Sequence, residues 1–380
     1  MNGFDEIFKR LTAEEFMEDP TRILSLMMDF GFDPRQVRLL RTVMTEDMKE
    51  VKDFLRSPIG SGYEIAEGIA EYCLVSEDAL KDILDGIRSS LNGDIGTEII
   101  DDDEFGRCRI SLYGIAKYSL DMSVLLWVKK DISEFRIPDS VTVILERAFS
   151  NCKSLKEVYI SDSVMIIGYY AFSGCTSVHF TVDTENEFYC SESGALFDKE
   201  KKTLISGYAL VQDGVCDIPD SVTVIDGGTF SGCTSLKEVH IPNSVTEIGR
   251  CAFSGCTSLK EIHIPDSVTV IDWGAFTCCK SLEEVHIPDS VTEIGDDAFD
   301  DCTSLKEVRI PDSVTEIGWN AFFGCTSLKE VRIPDSVTEI GWGAFSNCTS
   351  LKEVHIPDSV TEIGDYAFSC CESLEEVYIP

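Results

Sequence analysis

A phrase of 23 residues, IPDSVTEIGWNAFFGCTSLKEVR beginning at Ile310, returns with small changes from Ile218, Ile241, Ile264, Ile287, Ile333 and Ile356. One such unit is too short to bury its own apolar face. Stacked copies must supply one another's core, so the chain is expected to wind as a solenoid. Leu, Val and Ile of SLKEVHIP keep L-x-x-L-x-L spacing and point inward from a short strand, which the following proline ends because it cannot donate to a ladder. Val and Ile of SVTEIG form a second short extended segment, glycine turns the chain, and Ala, Phe and Cys of AFxxC fill the layer between. Phenylalanine recurs at Phe149, Phe172, Phe230, Phe253, Phe276, Phe299, Phe322, Phe345 and Phe368, which predicts a stacked spine. At ~25 cal/mol per Å2 and ~150 Å2 or more per ring, each contributes several kcal/mol before entropy is counted.

Nine of the 16 cysteines, Cys152, Cys175, Cys233, Cys256, Cys279, Cys302, Cys325, Cys348 and Cys371, hold one repeat position, three residues after Phe. That regularity reads as a buried column of small apolar thiols rather than a disulfide framework. Cys278 and Cys370 each precede a column cysteine and are expected at the surface. No C-x-x-C pair faces a second Cys or His pair at zinc-ligand spacing, so no metal and no cofactor is expected.

The 68 acidic and 32 basic residues leave a formal charge of -36. Nucleic acid is a poor partner for such a chain, because phosphate affinity comes from clustered Lys and Arg. Residues 1–30 carry carboxylates where a signal peptide needs positive charge, and no stretch reaches ~18 apolar residues. The chain is therefore expected to be soluble and cytoplasmic, without membrane contact, a secreted or cell-surface location being the alternative.

Ahead of the repeats, residues 1–92 read as a helical bundle. Thr12 and Glu15 have capping-box spacing, Asp33 precedes Pro34, and Ser76 precedes Glu77 and Asp78; each start is followed by apolar residues at helical spacing. Ile69–Leu84 faintly has helix-turn-helix spacing, but its second half is acidic, which argues against DNA. Residues 93–104 are glycine-bearing and acidic and read as a linker. Residues 105–136 read as the N-terminal capping unit of the solenoid, with a strand from the alternation near Arg109–Tyr113, and residues 137–380 as the solenoid itself. Within it, 183–217 breaks the register, and its apolar runs Ala195–Phe197 and Thr203–Ile205 about a polar turn predict a hairpin insertion.

With these residues in view, the phrase I-P-D-S-V-T-x-I-G-x-x-A-F-x-x-C-x-S-L-K-E-V resembles the BspA-type, or Treponema-type, leucine-rich repeats over about the last two-thirds of the chain. The resemblance implies a noncatalytic protein, and many members are surface or secreted proteins that bind host proteins or other cells. The expected fold class is α+β: a leucine-rich-repeat solenoid of 23-residue repeats with a parallel β-sheet on its concave face, preceded by an all-α helical-bundle domain.

Positions that vary between repeats locate the candidate surface. On the first strand, an acidic column (Glu238, Glu261, Glu284, Glu307, Glu330, Glu353) stands two residues before a column of His240, His263, His286, Arg309, Arg332 and His355, and alternation puts both on the concave face. Like charges about 4.8 Å apart repel by ~1 kcal/mol even at the dielectric of water, so the column favours a partner with basic or aromatic groups. A second candidate follows the glycine position of the repeat, held by Asp272 in one copy, where Trp273, Trp319 and Trp342 lie on the turn or convex edge. No catalytic residues are assigned: the five histidines have no Ser or Cys partner in a recognisable cleft, and no phosphate-binding glycine loop occurs. The expected function is recognition of a protein partner by the solenoid, with the helical domain docking or assembling. The alternatives are an adhesin for host protein or glycan, and an effector with activity in residues 1–92. The last repeat ends in a strand flanked by Asp365, Glu372, Glu375 and Glu376, so a monomer held apart by charge is expected over an end-to-end dimer.

Overall fold

The computed structural model describes residues 97–111 and 115–378. These fall into two compact units, one reaching to Ile132 with Arg136–Val141, the other comprising Ser133–Phe135 and Thr142 onward.

In the first unit, Thr97–Asp102, Gly106–Ser111, Ala116–Tyr118 and Val124–Val128 form an antiparallel meander. Part of the acidic stretch read as a linker is thus a strand. Its turn is fixed locally, since the Asp102 carboxylate accepts the backbone N–H groups of Glu104 and Phe105 and Gly106 takes a left-handed φ of 66°. Lys117 then holds the meander across its face, with Nζ 2.5 Å from Asp102 and 5.3 and 5.1 Å from the ring centroids of Phe105 and Trp127.

The second unit is a β-solenoid with two strands per coil. Glu261–His263, Glu284–His286, Glu307–Arg309, Glu330–Arg332, Glu353–His355 and Glu376–Tyr378 form one parallel sheet. The two-residue strands Val224–Ile225, Glu247–Ile248, Val270–Ile271, Glu293–Ile294, Glu316–Ile317, Glu339–Ile340 and Glu362–Ile363 form a second parallel ladder. The α+β expectation is corrected here. Among the described residues there is no α-helix, only the 3-10 turn Tyr208–Leu210. The expected helical bundle over residues 1–92 lies outside the described residues.

The repeat explains why its coils hold no helix. Each carries two left-handed residues four apart, such as Cys251 (φ 51°) and Gly255 (φ 71°), Asp297 (53°) and Asp301 (55°), or Asn320 (51°) and Gly324 (68°). The Ala-Phe pair between them makes a single turn and cannot propagate right-handed backbone. The sites expected to be surface cysteines, Cys278 and Cys370, occupy this second left-handed position, the first partly exposed and the second exposed.

The interior is built from copies of one side-chain set. Val291, Ile294, Ala298, Phe299, Cys302 and Leu305 are each completely buried, as are their counterparts one coil on. Phenylalanine rings from Phe230 to Phe368 stack at centroid spacings of 5.2 to 5.5 Å, within 11° of parallel. The cysteine column does more than fill space. The Cys302 thiol donates to the Phe276 carbonyl at 3.2 Å, the same oxygen that accepts the Cys279 backbone N–H, and Cys279, Cys325 and Cys348 repeat the bond one coil apart at 3.2, 3.3 and 3.2 Å. All described cysteines are free thiols, and burial pushes the Cys279 thiol up to about 12.

Residues 183–217 enter the solenoid on different terms. Tyr189–Glu192, Ala195–Asp198 and Thr203–Ser206 pair antiparallel, and the last pairs parallel with Val224–Ile225, so this segment begins the second ladder. A further hairpin, Val211–Gln212 with Val215–Asp217, passes its second strand to Glu238–His240. Asn186, with no exposure, donates to the Ser161 and Val164 carbonyls at 2.8 and 3.0 Å and accepts the Phe188 and Tyr189 N–H groups. The Tyr208 hydroxyl accepts the Gly174 N–H at 2.8 Å and donates to the Ser231 carbonyl at 2.6 Å.

Candidate functional site

Two outward faces of the second unit carry the candidate residues. On the three-residue strands the central Val or Ile is buried and the flanking residues are exposed. Register pairs Glu261 with Glu284, Glu284 with Glu307, Glu307 with Glu330, and Glu330 with Glu353, so the expected acidic column is continuous. Beside it His263 faces His286 with ring centroids 5.8 Å apart, Arg309 pairs in register with Arg332, and His355 stacks on Tyr378 at 4.3 Å. His240 and Glu238 lie on the neighbouring strand, where Nδ1 of His240 is 2.6 Å from Asp217 and Nε2 is 2.9 Å from Glu238. Asp217 first, and then Glu238, raise the His240 pKa above its ordinary value. A shallow groove lined by Glu330, Arg332, Asp335, Glu353, His355 and Pro357 opens on this face. No group of three or more His, Cys, Asp or Glu that could hold a metal occurs among the described residues.

The other face belongs to the two-residue ladder. Trp273, Trp319 and Trp342 are 44%, 60% and 46% exposed, and Trp342 meets Tyr366 edge-on with centroids 6.0 Å apart. Glycine precedes Trp319 and Trp342, and Asp272 precedes Trp273; a Cβ on Gly318 or Gly341 would stand 2.6 Å from the backbone of the preceding coil, so the chain there runs too close to its neighbour for any side chain. The Asp296 carboxylate accepts the Trp319 backbone N–H at 2.7 Å, tying one coil to the next.

This face also holds a second acidic column that the sequence reading passed over. Glu293, Glu316, Glu339 and Glu362 are register partners, one per coil. Burial and the charges of Glu339 and Glu293 raise the Glu316 carboxyl above the usual range. Trp273, Glu293, Asp296 and Glu316 line one groove of about 560 Å3 together with Arg250, which is 3.5 Å from Asp272. The signal was present in the sequence as Glu in T-E-I-G at the 23-residue period, interrupted by Val224 and Val270.

The family described as the BspA type leucine rich repeat region matches residues 126–209, 215–329 and 269–380 in six copies. No curated protein matches the chain. Among solved structures, a leucine-rich repeat protein from Eubacterium ventriosum is similar at 25% identity and TM-score 0.49, over 57% of this chain and 65% of that one, just under two-thirds of its length. One from Bacteroides ovatus is similar at 27% identity and TM-score 0.45, over 73% and 79%. A leucine rich cell surface protein from Faecalibacterium prausnitzii is similar at 28% identity and TM-score 0.33, over 70% and 93%.

Proposed function

The chain belongs to the BspA-type leucine-rich-repeat family, and from that premise we propose that it is a noncatalytic interaction protein whose solenoid recognises a protein partner. The observation that carries the reading is the division of labour within each coil. Every interior position repeats, while the exposed strand position beside the glutamate column changes among His, Arg and Tyr along a rigid ladder. Such a surface offers fixed spacing with variable chemistry, the arrangement by which stacked repeats bind an extended partner. The partner proposed for this face carries basic and aromatic groups that complement Glu261 to Glu353.

Pull-down with the intact chain tests it. Replacing Glu284, Glu307 and Glu330 together by Gln is expected to reduce recovery of the partner and flatten its salt dependence, because interfacial charge acts through screened Coulomb attraction. Unchanged recovery and salt slope would remove this face from consideration. Fractionation of the source cells then separates a cytoplasmic partner from one met at the cell surface.

A further inference from the structure

The two acidic columns differ in what stands beside them. On the three-residue strands each glutamate has a His, Arg or Tyr two residues on, and His240 is already bonded to Glu238. On the two-residue ladder, Glu293, Glu316, Glu339 and Glu362 form no ion pair with Lys or Arg among the described residues. What stands beside them is tryptophan. An indole face attracts a cation through its quadrupole, and a carboxylate within reach holds the same cation by charge.

We propose that the tryptophan-lined face of the two-residue ladder binds an extended, Lys- or Arg-rich segment of a partner protein. The inference rests on the reading of the chain as a protein-binding solenoid and adds a second face with its own ligand chemistry. Neighbouring coils are about 4.8 Å apart, so the four steps from Trp273 to the Tyr366 coil span on the order of 19 Å, the reach of about six residues of extended chain. Basic side chains on alternate residues of that segment, about 6.6 Å apart, fall along a row of carboxylates that recurs at every coil, and the exposed faces of Trp319 and Trp342 receive the cations or the aliphatic stems that carry them. Arg250 bounds the stripe at one end, because its own positive charge repels the segment there.

Fluorescence anisotropy on the full chain tests this with a labelled ten-residue peptide of alternating Lys and Thr, and with a control in which Glu replaces Lys. The Lys peptide is expected to bind, to change the tryptophan emission, and to weaken as salt rises, while the Glu peptide does not bind. The pair Trp319→Ala and Trp342→Ala is expected to lower affinity at least tenfold, and Glu316→Gln with Glu339→Gln to lower it and flatten the salt slope. Trp319→Phe with Trp342→Phe keeps an aromatic face and is expected to retain most binding, which guards against a folding defect in the Ala pair. Equal losses from Glu284→Gln with Glu307→Gln would overturn the proposal, since attraction would then follow total charge rather than this face. So would a soluble glycan shifting the tryptophan emission where the Lys peptide does not. Neither result bears on the pull-down with the Glu284, Glu307 and Glu330 variant, so the two readings fail separately.

Discussion

The regular coils from Ile218 onward and the inserted segment 183–217 solve the same packing problem by opposite means. In the coils, each buried residue meets a copy of itself: Phe on Phe at about 5.3 Å, and a thiol on the carbonyl of the previous coil. Complementarity there comes from repetition, so any coil can stack on any other. The insert has no copy to meet. It is held by Asn186 and Tyr208, whose polar atoms each join backbone groups that are distant in sequence, and by Gly207, where a Cβ would stand 2.3 Å from the Phe230 ring. Apolar stacking tolerates small displacements along the axis. A buried amide with four partners admits one arrangement only, because each unmade bond costs the desolvation of its group.

The largest expected effects break this comparison directly. Phe322→Ala removes a ring between Phe299 and Phe345 and is expected to lower stability by about 3 to 5 kcal/mol, the range for cavities left by buried aromatics. Asn186→Ala deletes no comparable volume, yet strands the Val164 carbonyl and two N–H groups, each worth ~1 to 3 kcal/mol when unsatisfied and dry, and leaves the Ser161 carbonyl with the Val164 N–H alone. Urea denaturation followed by far-ultraviolet dichroism compares them. If Asn186→Ala proves nearly neutral, the insert is held by its apolar contacts like the coils.

A smaller effect sharpens the account of the cysteine column. The spacing alone describes Cys302 as a small hydrophobe, and serine there as a hydroxyl without a partner. The thiol's bond to the Phe276 carbonyl gives that hydroxyl an acceptor. Cys302→Ser is therefore expected to cost only ~1 kcal/mol, and Cys302→Ala, which loses the donor and leaves a small void, as much or more. A serine variant clearly worse than the alanine one would return the column to a purely apolar role.

The smallest effect is a titration. Asp300 is half-buried, and burial, then the charges of Asp301 and Asp297, raise its pKa to about 6. A carboxyl raised in the folded state favours its neutral form there. Its contribution to stability is thus complete below the ordinary value of 3.8 and is lost as pH rises through about 6. Asp300→Asn is expected to raise the melting temperature at pH 7, and the advantage over the natural chain should vanish by about pH 4. An advantage that persists unchanged at pH 4 would assign it to packing instead of charge.

Much of the second unit was legible in the sequence because a solenoid makes sequence period and spatial neighbour the same thing. Residues 23 apart lie one coil apart, so the phenylalanine spine, the cysteine column and the column from Glu261 to Glu353 could be read directly. The glutamates of T-E-I-G were equally periodic but went unread, since a two-residue segment gives too little alternation to mark a strand with an outer face. Asn186 and Tyr208 gave no signal at all. The carbonyls that Asn186 reaches and the groups that Tyr208 bonds lie 20 or more residues away at no fixed interval, and one occurrence cannot form a pattern.

The sequence by itself determined the stacking of identical coils, because every unit needs its neighbour to bury Phe, Cys, Leu, Val and Ile. Only the tertiary structure decided that those coils contain no α-helix, because the paired left-handed residues at sites such as Asn320 and Gly324 act through backbone angles that several residue types adopt. It alone decided, too, that Trp319 and Trp342 share a face with a second row of carboxylates. Which side of a two-residue strand faces outward depends on the closing of the whole coil.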